Sequence, residues 1–512
     1  MRFFAVDSIP AIHERGAFYL VRDHWNDWYT WQTMRTLVHV GLNGVRTNIG
    51  SVKIGKRGMT EQAGVTELPA VFTSLDPTYF SLGQTENYYE SLYELPSPIP
   101  EEVLQGLRDC AYNLSILEEN SLEPVMSRSL LRDVAGEVVS SRYHRLATGN
   151  AALTPFSFSY HFPGSSSEPV IEFRVQPSSM PPSNIHVLIG RNGVGKSRCF
   201  DGITKTLIGS SGSDGSSDVG RILNTSPIDP FALAQGRAAT FSGIVFVAFS
   251  AFDSFKPLPD GQQPSGIKYS YVGLKLPASA QNPAGELKNE AALTAEFINA
   301  VAACRMGARV RRWQQALRTL ESDPIFQEHE LAQLATFDHE AASEGVARYF
   351  ERLSSGHKVV LLTITRLVEL VEEKTLVLLD EPEGHLHPPL LSAFIRALSD
   401  LLVQRNGVAL VATHSPVVLQ EVPRECVWIL NRTGSRSRVD RPIGETFGEG
   451  FGVLAREVFG LELTSSGYNE LIRKAVDEAN GNYTSVVSAF NGKLGSEGRA
   501  VARALCISRE RS

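Results

Sequence analysis

The chain has 512 residues, 42% hydrophobic and 21% charged, with a formal charge of -7. This is globular composition with length for two or three domains, and it lacks the massed lysine and arginine of a polyanion binder. Cys110, Cys199, Cys304, Cys426 and Cys506 are scattered without a C-x-x-C pair, which argues against a disulfide framework or a zinc site and fits a reducing cytoplasm. The opening residues carry no apolar signal segment, and no run nears the roughly 18 apolar residues of a membrane helix, so no membrane contact is expected.

Residues 1–150 read as a β-rich N-terminal domain with helices at its end, a sensor or docking module. FYLVRDHWNDWYTWQTMRTLVHV is β-branched and aromatic, and Asn43-Gly44 suits a tight hairpin turn. Trp25, Trp28 and Trp31 read as packing residues, since aromatics dominate core energetics. After LPSPIP (Leu95 to Pro100), helical patterns run from Glu101 to about Leu117 and from about Met126 to Leu146.

Residues 151–445 read as an α/β unit. Short strands lead to the apolar Ile185 to Ile189 run, and GIVFVAF (Gly243 to Phe249) suits a buried parallel strand. GSSGSDGSSDVG (Gly209 to Gly220) cannot bury apolar area and reads as a surface loop. A helical insertion from about 280 to 353 shows no sustained heptads, so no coiled-coil arm is expected. Residues 446–512 read as a small helical tail.

Within this unit GRNGVGKS, from Gly190 through Arg191, Asn192, Gly193, Val194, Gly195 and Lys196 to Ser197, satisfies G-x-x-x-x-G-K-[ST] between an apolar strand and a helix, with Arg198 next. Its glycines let successive N–H groups face one anion, and the helix N-terminus adds its dipole. Lys196 supplies charge to the β- and γ-phosphates of ATP, and Ser197 offers a hydroxyl to Mg²⁺. In TLVLLDEPEGHLHP an apolar run ends in Asp380 and Glu381, placing both carboxylates at the ligand-binding edge of an α/β sheet. Asp380 suits the metal, and Glu381 suits the proton of an attacking water.

These residues resemble the ATP-binding-cassette ATPases, in particular the soluble RecF-like, SMC-like and overcoming-lysogenization-defect branch of the AAA class, whose D-loop EPEGHLHP is similar to. ERLSSGHK (Glu351 to Lys358) resembles the signature LSGGQ: Leu353, Ser354 and Gly356 agree, while Ser355 and His357 depart from it. LVATHSP (Leu410 to Pro416) resembles the switch segment, with His414 as its histidine. The resemblance implies an ABC-ATPase P-loop sheet with a helical signature lobe. It also implies head-to-tail pairing, or a higher even oligomer, in which Ser354, Ser355 and Gly356 of one copy complete the ATP site of the other. His414 then contacts the γ-phosphate and orients water, while His385 and His387 read as D-loop packing. Where the family has its Q-loop glutamine this chain reads SAFDSF, leaving Ser250 and Asp253 both open as its replacement.

Overcoming-lysogenization-defect proteins append a Toprim nuclease, for which the residues after Leu430 are too few. The arrangement is similar to stand-alone ATPase subunits of the Septu, PARIS and retron anti-phage systems, which implies a nuclease or toxin effector as partner. DNA is a further candidate, through Arg305, Arg309, Arg311, Arg312 and Arg318 around Trp313 and through RTGSRSRVDR (Arg432 to Arg441), although a solvated helix face is the commoner account. The expected function is a cytoplasmic ATPase that dimerises around ATP and regulates an effector in defence, or acts in DNA maintenance. The alternatives are the ATP-driving subunit of a membrane transporter and an ATP-locked scaffold.

Overall fold

The computed structural model describes the chain except residues 12, 24–30, 61–64, 97, 135, 150–152, 154, 164–168, 178, 210–219, 226–240, 251–256, 264, 278–285, 329–330, 332–333, 335–341, 385, 434–435, 464–466 and 511–512. Trp25, Trp28 and most of the Gly209 to Gly220 loop thus lie outside the described residues.

An eight-stranded sheet organises the larger part of the molecule. Its order is Gly261–Gln262, Lys268–Gly273, Gly243–Ala248, Thr375–Asp380, Val408–Thr413, Ile185–Ile189, Val427–Thr433 and Arg436–Asp440. The six inner strands are parallel and the two edge strands antiparallel. Strands such as TLVLLD and VALVAT are apolar on both sides because helices or a second sheet cover both faces. Leu376 and Leu378 share a core with Phe200 and Ile203 of the Lys196–Ile208 helix and with a three-stranded antiparallel sheet, Arg221–Asn224, Phe156–His161 and Val170–Val175. Val377 and Leu379 share the opposite core with Leu361 and Ile364 of the Ser355–Leu370 helix, the signature helix.

The helical lobe comprises Glu290–Cys304, Arg309–Leu320, Pro324–Glu328 and Ala342–Arg352. It joins the second core through Phe297, Trp313, Leu317 and Phe350. Trp313 is fully buried and its indole N–H donates to Thr365 Oγ1 at 3.1 Å, so its polar handle is satisfied.

A separate six-stranded sheet is built from Val71–Phe72, Phe3–Val6, Ala17–Arg22, Met34–Val40, Arg46–Lys56 and Tyr79–Gly83, in that order. Asn43-Gly44 lies in the loop from Gly41 to Val45 that closes the Val40 to Arg46 pair, a wider turn than the two-residue form expected. Trp31 is buried in this lobe's core. The long helix expected from Glu101 to Leu117 is broken into Ile99–Gly106 and Leu114–Glu119. The break falls where buried Asp109 accepts from the Ala111 and Tyr112 N–H groups, a local alternative to the helical ladder. The expected Met126 to Leu146 helix is likewise a series of short turns, Met126–Leu130, Gly136–Val138, Val139–Tyr143 and His144–Ala147.

This lobe is fastened to the other by charge. On its Glu86–Tyr93 helix, Glu86 is paired with Arg405 and with Arg142 at 3.0 Å and accepts the Glu373 N–H at 2.9 Å. Glu90 pairs with Arg405 and, at 2.8 Å, with Arg312. Burial pushes the Glu86 carboxyl up, but Arg405 and Arg142 outweigh it and hold it below the usual carboxylate range. Ser91 Oγ and Asn87 Oδ1 accept from Ala308 N and Arg309 N, so the lobe caps the start of the Arg309–Leu320 helix. Arg311 lies 3.7 Å from Glu94, and Arg305 donates to the Leu334 carbonyl. The basic helix is therefore not a purely solvated face: Arg312, Arg311 and Arg305 are engaged with protein.

At the C-terminal end come Phe451–Leu463, Tyr468–Glu478, Tyr483–Ala489 and Ser496–Glu510, all helical. The last three share a small core of Ile472, Val476, Val486, Ala502 and Cys506. Among the described residues no helix is long and apolar enough to cross a membrane, and the five cysteines are buried and unbridged.

Candidate functional site

The phosphate loop begins where the Ile185–Ile189 strand ends and stops where the Lys196–Ile208 helix begins. Gly193 and Gly195 have φ of 78° and 108°, backbone that an L side chain resists. At Gly190 a Cβ would come within 2.3 Å of the Leu430 carbonyl oxygen, so only glycine fits beside the Val427–Thr433 strand. Val194 anchors the loop in the core, while Arg191, Asn192 and Gly193 are exposed. With His414, Arg432 and Phe459, these four residues line a cleft of about 820 Å³, ample for a nucleotide. Lys196 is buried, and its Nζ donates to the Gly190 and Arg191 carbonyls at 3.0 and 3.1 Å. Ser197 and Arg198 are exposed on the first turn of the helix.

The acidic strand, Thr375–Asp380, lies two strands away, separated by the switch strand Val408–Thr413. Asp380 is buried at its end, in register with Ala248 on one side and Ala412 on the other. Glu381 follows with φ of 47° and donates its N–H to the Ala412 carbonyl at 2.8 Å. A non-glycine residue in that region costs on the order of 1–3 kcal/mol, strain of the kind held at functional sites. The Glu381 carboxylate stands 3.7 Å from Lys196 Nζ and 3.8 Å from His414 Nδ1. Lys196, Glu381 and His414 thus converge at the carboxyl edge of the sheet.

One residue of this group has no role in the sequence reading. Glu383 Oε1 accepts from Thr413 Oγ1 at 2.6 Å and from the His414 N–H at 2.7 Å, and lies 3.1 Å from His414 Nδ1. One carboxylate oxygen thus holds both the Thr413 hydroxyl and the His414 main chain, fixing the end of the switch strand. Glu383 is visible in the motif EPEGHLHP, but nothing local says that its carboxylate reaches a strand about thirty residues on. Arg432 was legible only as part of a basic segment and Phe459 not at all; tertiary packing brings both to the cleft.

Ser354, Ser355 and Gly356 are not among the residues that line this cleft. They open the signature helix, with Ser354 as N-cap, its Oγ accepting from the His357 N–H. Ser354 and Ser355 are exposed, and His357 is buried. Ser250 follows the Gly243–Ala248 strand, whose last residue pairs with Asp380; Asp253 and His385 lie outside the described residues. His387 Nε2 is 3.3 Å from Asp323 Oδ2.

A parallel sheet carrying the Gly190 to Ser197 loop, an acidic strand end and His414 in this spatial order, with a helical lobe beside it, is the fold of an ABC-type P-loop ATPase. A family model described as "AAA domain, putative AbiEii toxin, Type IV TA system" matches residues 294–420. Protein ea59 of Escherichia phage lambda is 39% identical over 532 aligned residues, covering 98% of this chain and 97% of that protein. The chain belongs to the ea59 family. The thiamine import ATP-binding protein ThiQ of Photobacterium profundum is 30% identical over 112 residues, 21% of this chain and 44% of that protein. Among solved structures, the ATP-binding cassette MJ1267 of an ABC transporter is 14% identical with a TM-score of 0.30, covering 61% of this chain and 98% of that one.

Proposed function

We propose that the chain hydrolyses ATP at a composite site between two head-to-tail copies, and that the cycle regulates a nuclease or toxin effector in anti-phage defence or acts in DNA maintenance. The observation that carries the hydrolytic reading is the convergence of Lys196, Glu381 and His414 beside an open cleft. The loop N–H groups and Lys196 bind the phosphates, the ammonium exchanging its loop carbonyls for phosphate oxygens. Ser197 and Asp380 are a hydroxyl and a carboxylate, hard oxygen donors that fit Mg²⁺, which when bound would neutralise charge on the β- and γ-phosphates. Glu381 accepts the proton of the attacking water, and His414, held by Glu383, orients it. The exposed Ser354 and Ser355, at the start of a helix away from the phosphate cleft, are offered to the second copy.

Support for the effector reading is the toxin and toxin–antitoxin system in the description of the family model and the resemblance to stand-alone defence ATPases. The first 150 residues are read as a sensing or docking module, tied to the engine through Glu86, Glu90, Arg405 and Arg312. Direct DNA contact through the basic helix is less favoured, because Arg312 and Arg311 face Glu90 and Glu94.

Glu381→Gln keeps the shape of the site and removes the base, so with ATP and Mg²⁺ it should accumulate as a pair. Light scattering that shows no ATP-dependent assembly of this variant refutes the composite site. Affinity purification of the same variant with ATP from its native host, followed by identification of what co-elutes, tests the effector: a nuclease or toxin supports it, and a membrane protein or DNA alone overturns it.

A further inference from the structure

The signature departs from its family at His357, and the structure gives that histidine a specific set of partners. Its Nδ1 is 2.7 Å from Ser354 Oγ, and its Nε2 is 3.1 Å from Asp323 Oδ1. The ring sits edge-on to Phe326 at 4.8 Å between centroids. His357 and Asp323 are 5% and 3% exposed, whereas Ser354 is exposed. Asp323 is itself fixed: Oδ1 also accepts the Ile325 N–H at 3.0 Å, and Oδ2 takes His387 of the D-loop at 3.3 Å. The titratable groups in contact with His357 are Asp323 and, across the shared carboxylate, His387, whose ring centroid is 6.4 Å away. Lys358, the next residue, is turned to Glu290.

The direction of each hydrogen bond follows from what the groups can do. Ionised Asp323 only accepts, so Nε2 of His357 carries a hydrogen. In the neutral imidazole Nδ1 is then a lone pair, and the Ser354 hydroxyl must give its hydrogen to it. A serine so engaged, with one lone pair taken by the His357 N–H, turns only its other lone pair outward and has nothing to donate to a phosphate oxygen. When His357 takes a second proton, Nδ1–H donates to Ser354 Oγ and the hydroxyl hydrogen is released to point outward.

We propose that Asp323, His357 and Ser354 form a relay that decides whether the signature serine presents a lone pair or a hydrogen to the γ-phosphate held by a second copy. His357 is thus a positioning residue for the composite site. The same carboxylate also lies 3.3 Å from His387 Nε2, so the D-loop neighbours the signature at this residue. This inference rests on the composite-site reading above and adds its regulation by proton uptake at a buried imidazole.

The test uses the full chain carrying Glu381→Gln, with ATP and Mg²⁺, and measures the pairing constant by analytical ultracentrifugation. A hydrogen bond to a charged phosphate corresponds to a factor of about ten per site, so pairing should be at least about tenfold tighter near pH 6 than near pH 8.5. Adding His357→Gln should abolish the difference, because an amide does not titrate. Adding Ser354→Ala, which keeps the imidazole but removes the hydroxyl it turns, should abolish the same difference. Titration of the nucleotide and of other side chains is common to parent and variants, so it cancels in the comparison. A His357→Gln chain that keeps the parent's pH profile overturns the relay. Should that variant lose ATP binding through misfolding, Ser354→Ala decides: a chain that keeps the parent's pH profile overturns it. Equal pairing of the parent at both pH values also overturns the relay and leaves the composite site standing, whereas no pairing at either pH overturns both.

Discussion

Removing the Glu383 carboxylate should slow turnover while leaving nucleotide binding intact. Oε1 accepts two hydrogen bonds, from the Thr413 hydroxyl and the His414 N–H, and lies 3.1 Å from His414 Nδ1. Glu383→Ala leaves the fully buried Thr413 hydroxyl and the His414 N–H without their acceptor and removes the carboxylate beside the imidazole. Hydrogen bonds to a charged partner contribute about 1.5–3 kcal/mol each, and the one that bears on the reacting geometry is that of the His414 N–H, which sets where the imidazole stands. Loss of that term alone lowers kcat by about 10-fold to 150-fold, since 1.36 kcal/mol is tenfold in rate. KM for ATP should change little, because Lys196 and the loop N–H groups are untouched. Glu383→Gln retains a carbonyl acceptor and should fall between the two. The assay is steady-state phosphate release with equilibrium ATP binding measured in parallel. An alanine variant with wild-type kcat, or one that loses ATP affinity together with kcat, refutes the argument.

Lys196→Ala should abolish ATP binding in isothermal titration; affinity equal to wild type would show the loop assignment to be wrong. Glu86→Ala strands Arg405 in the interlobe contact with Glu90 as its remaining carboxylate partner, and should cost about 3 kcal/mol in urea unfolding, the low end for breaking a buried ion pair. Because the Glu86 carboxyl is held below its ordinary value in the folded chain, its contribution is present at neutral pH and is lost as pH falls through that depressed value. The stability gap between wild type and Glu86→Ala should therefore narrow in acid, and a gap independent of pH refutes the charge account.

The layout of the candidate site was legible because its residues are neighbours in the sequence. Eight contiguous residues from Gly190 to Ser197 carry the turn, the proposed anion cradle and its lysine, and a strand need only be apolar up to its last residue to deliver Asp380 and Glu381 to a sheet edge. Neighbouring residues suffice where one turn or one strand end makes the site. The partners of those residues were not legible in the same way. Glu383 reaches His414 because the acidic and switch strands pair in register, Asp380 beside Ala412. Asp323 lies in a sequence, Ser-Asp-Pro, that reads as a helix start and nothing more; folding of the helical lobe sets it against His357 and His387. Arg312 looked like part of a solvated basic face until the N-terminal lobe placed Glu90 on it. In each case the charge was visible and its counterpart was not, because an electrostatic or hydrogen-bonding partner is chosen by distance in space, and only the packed chain brings residues 30 to 300 positions apart within about 3 Å of one another.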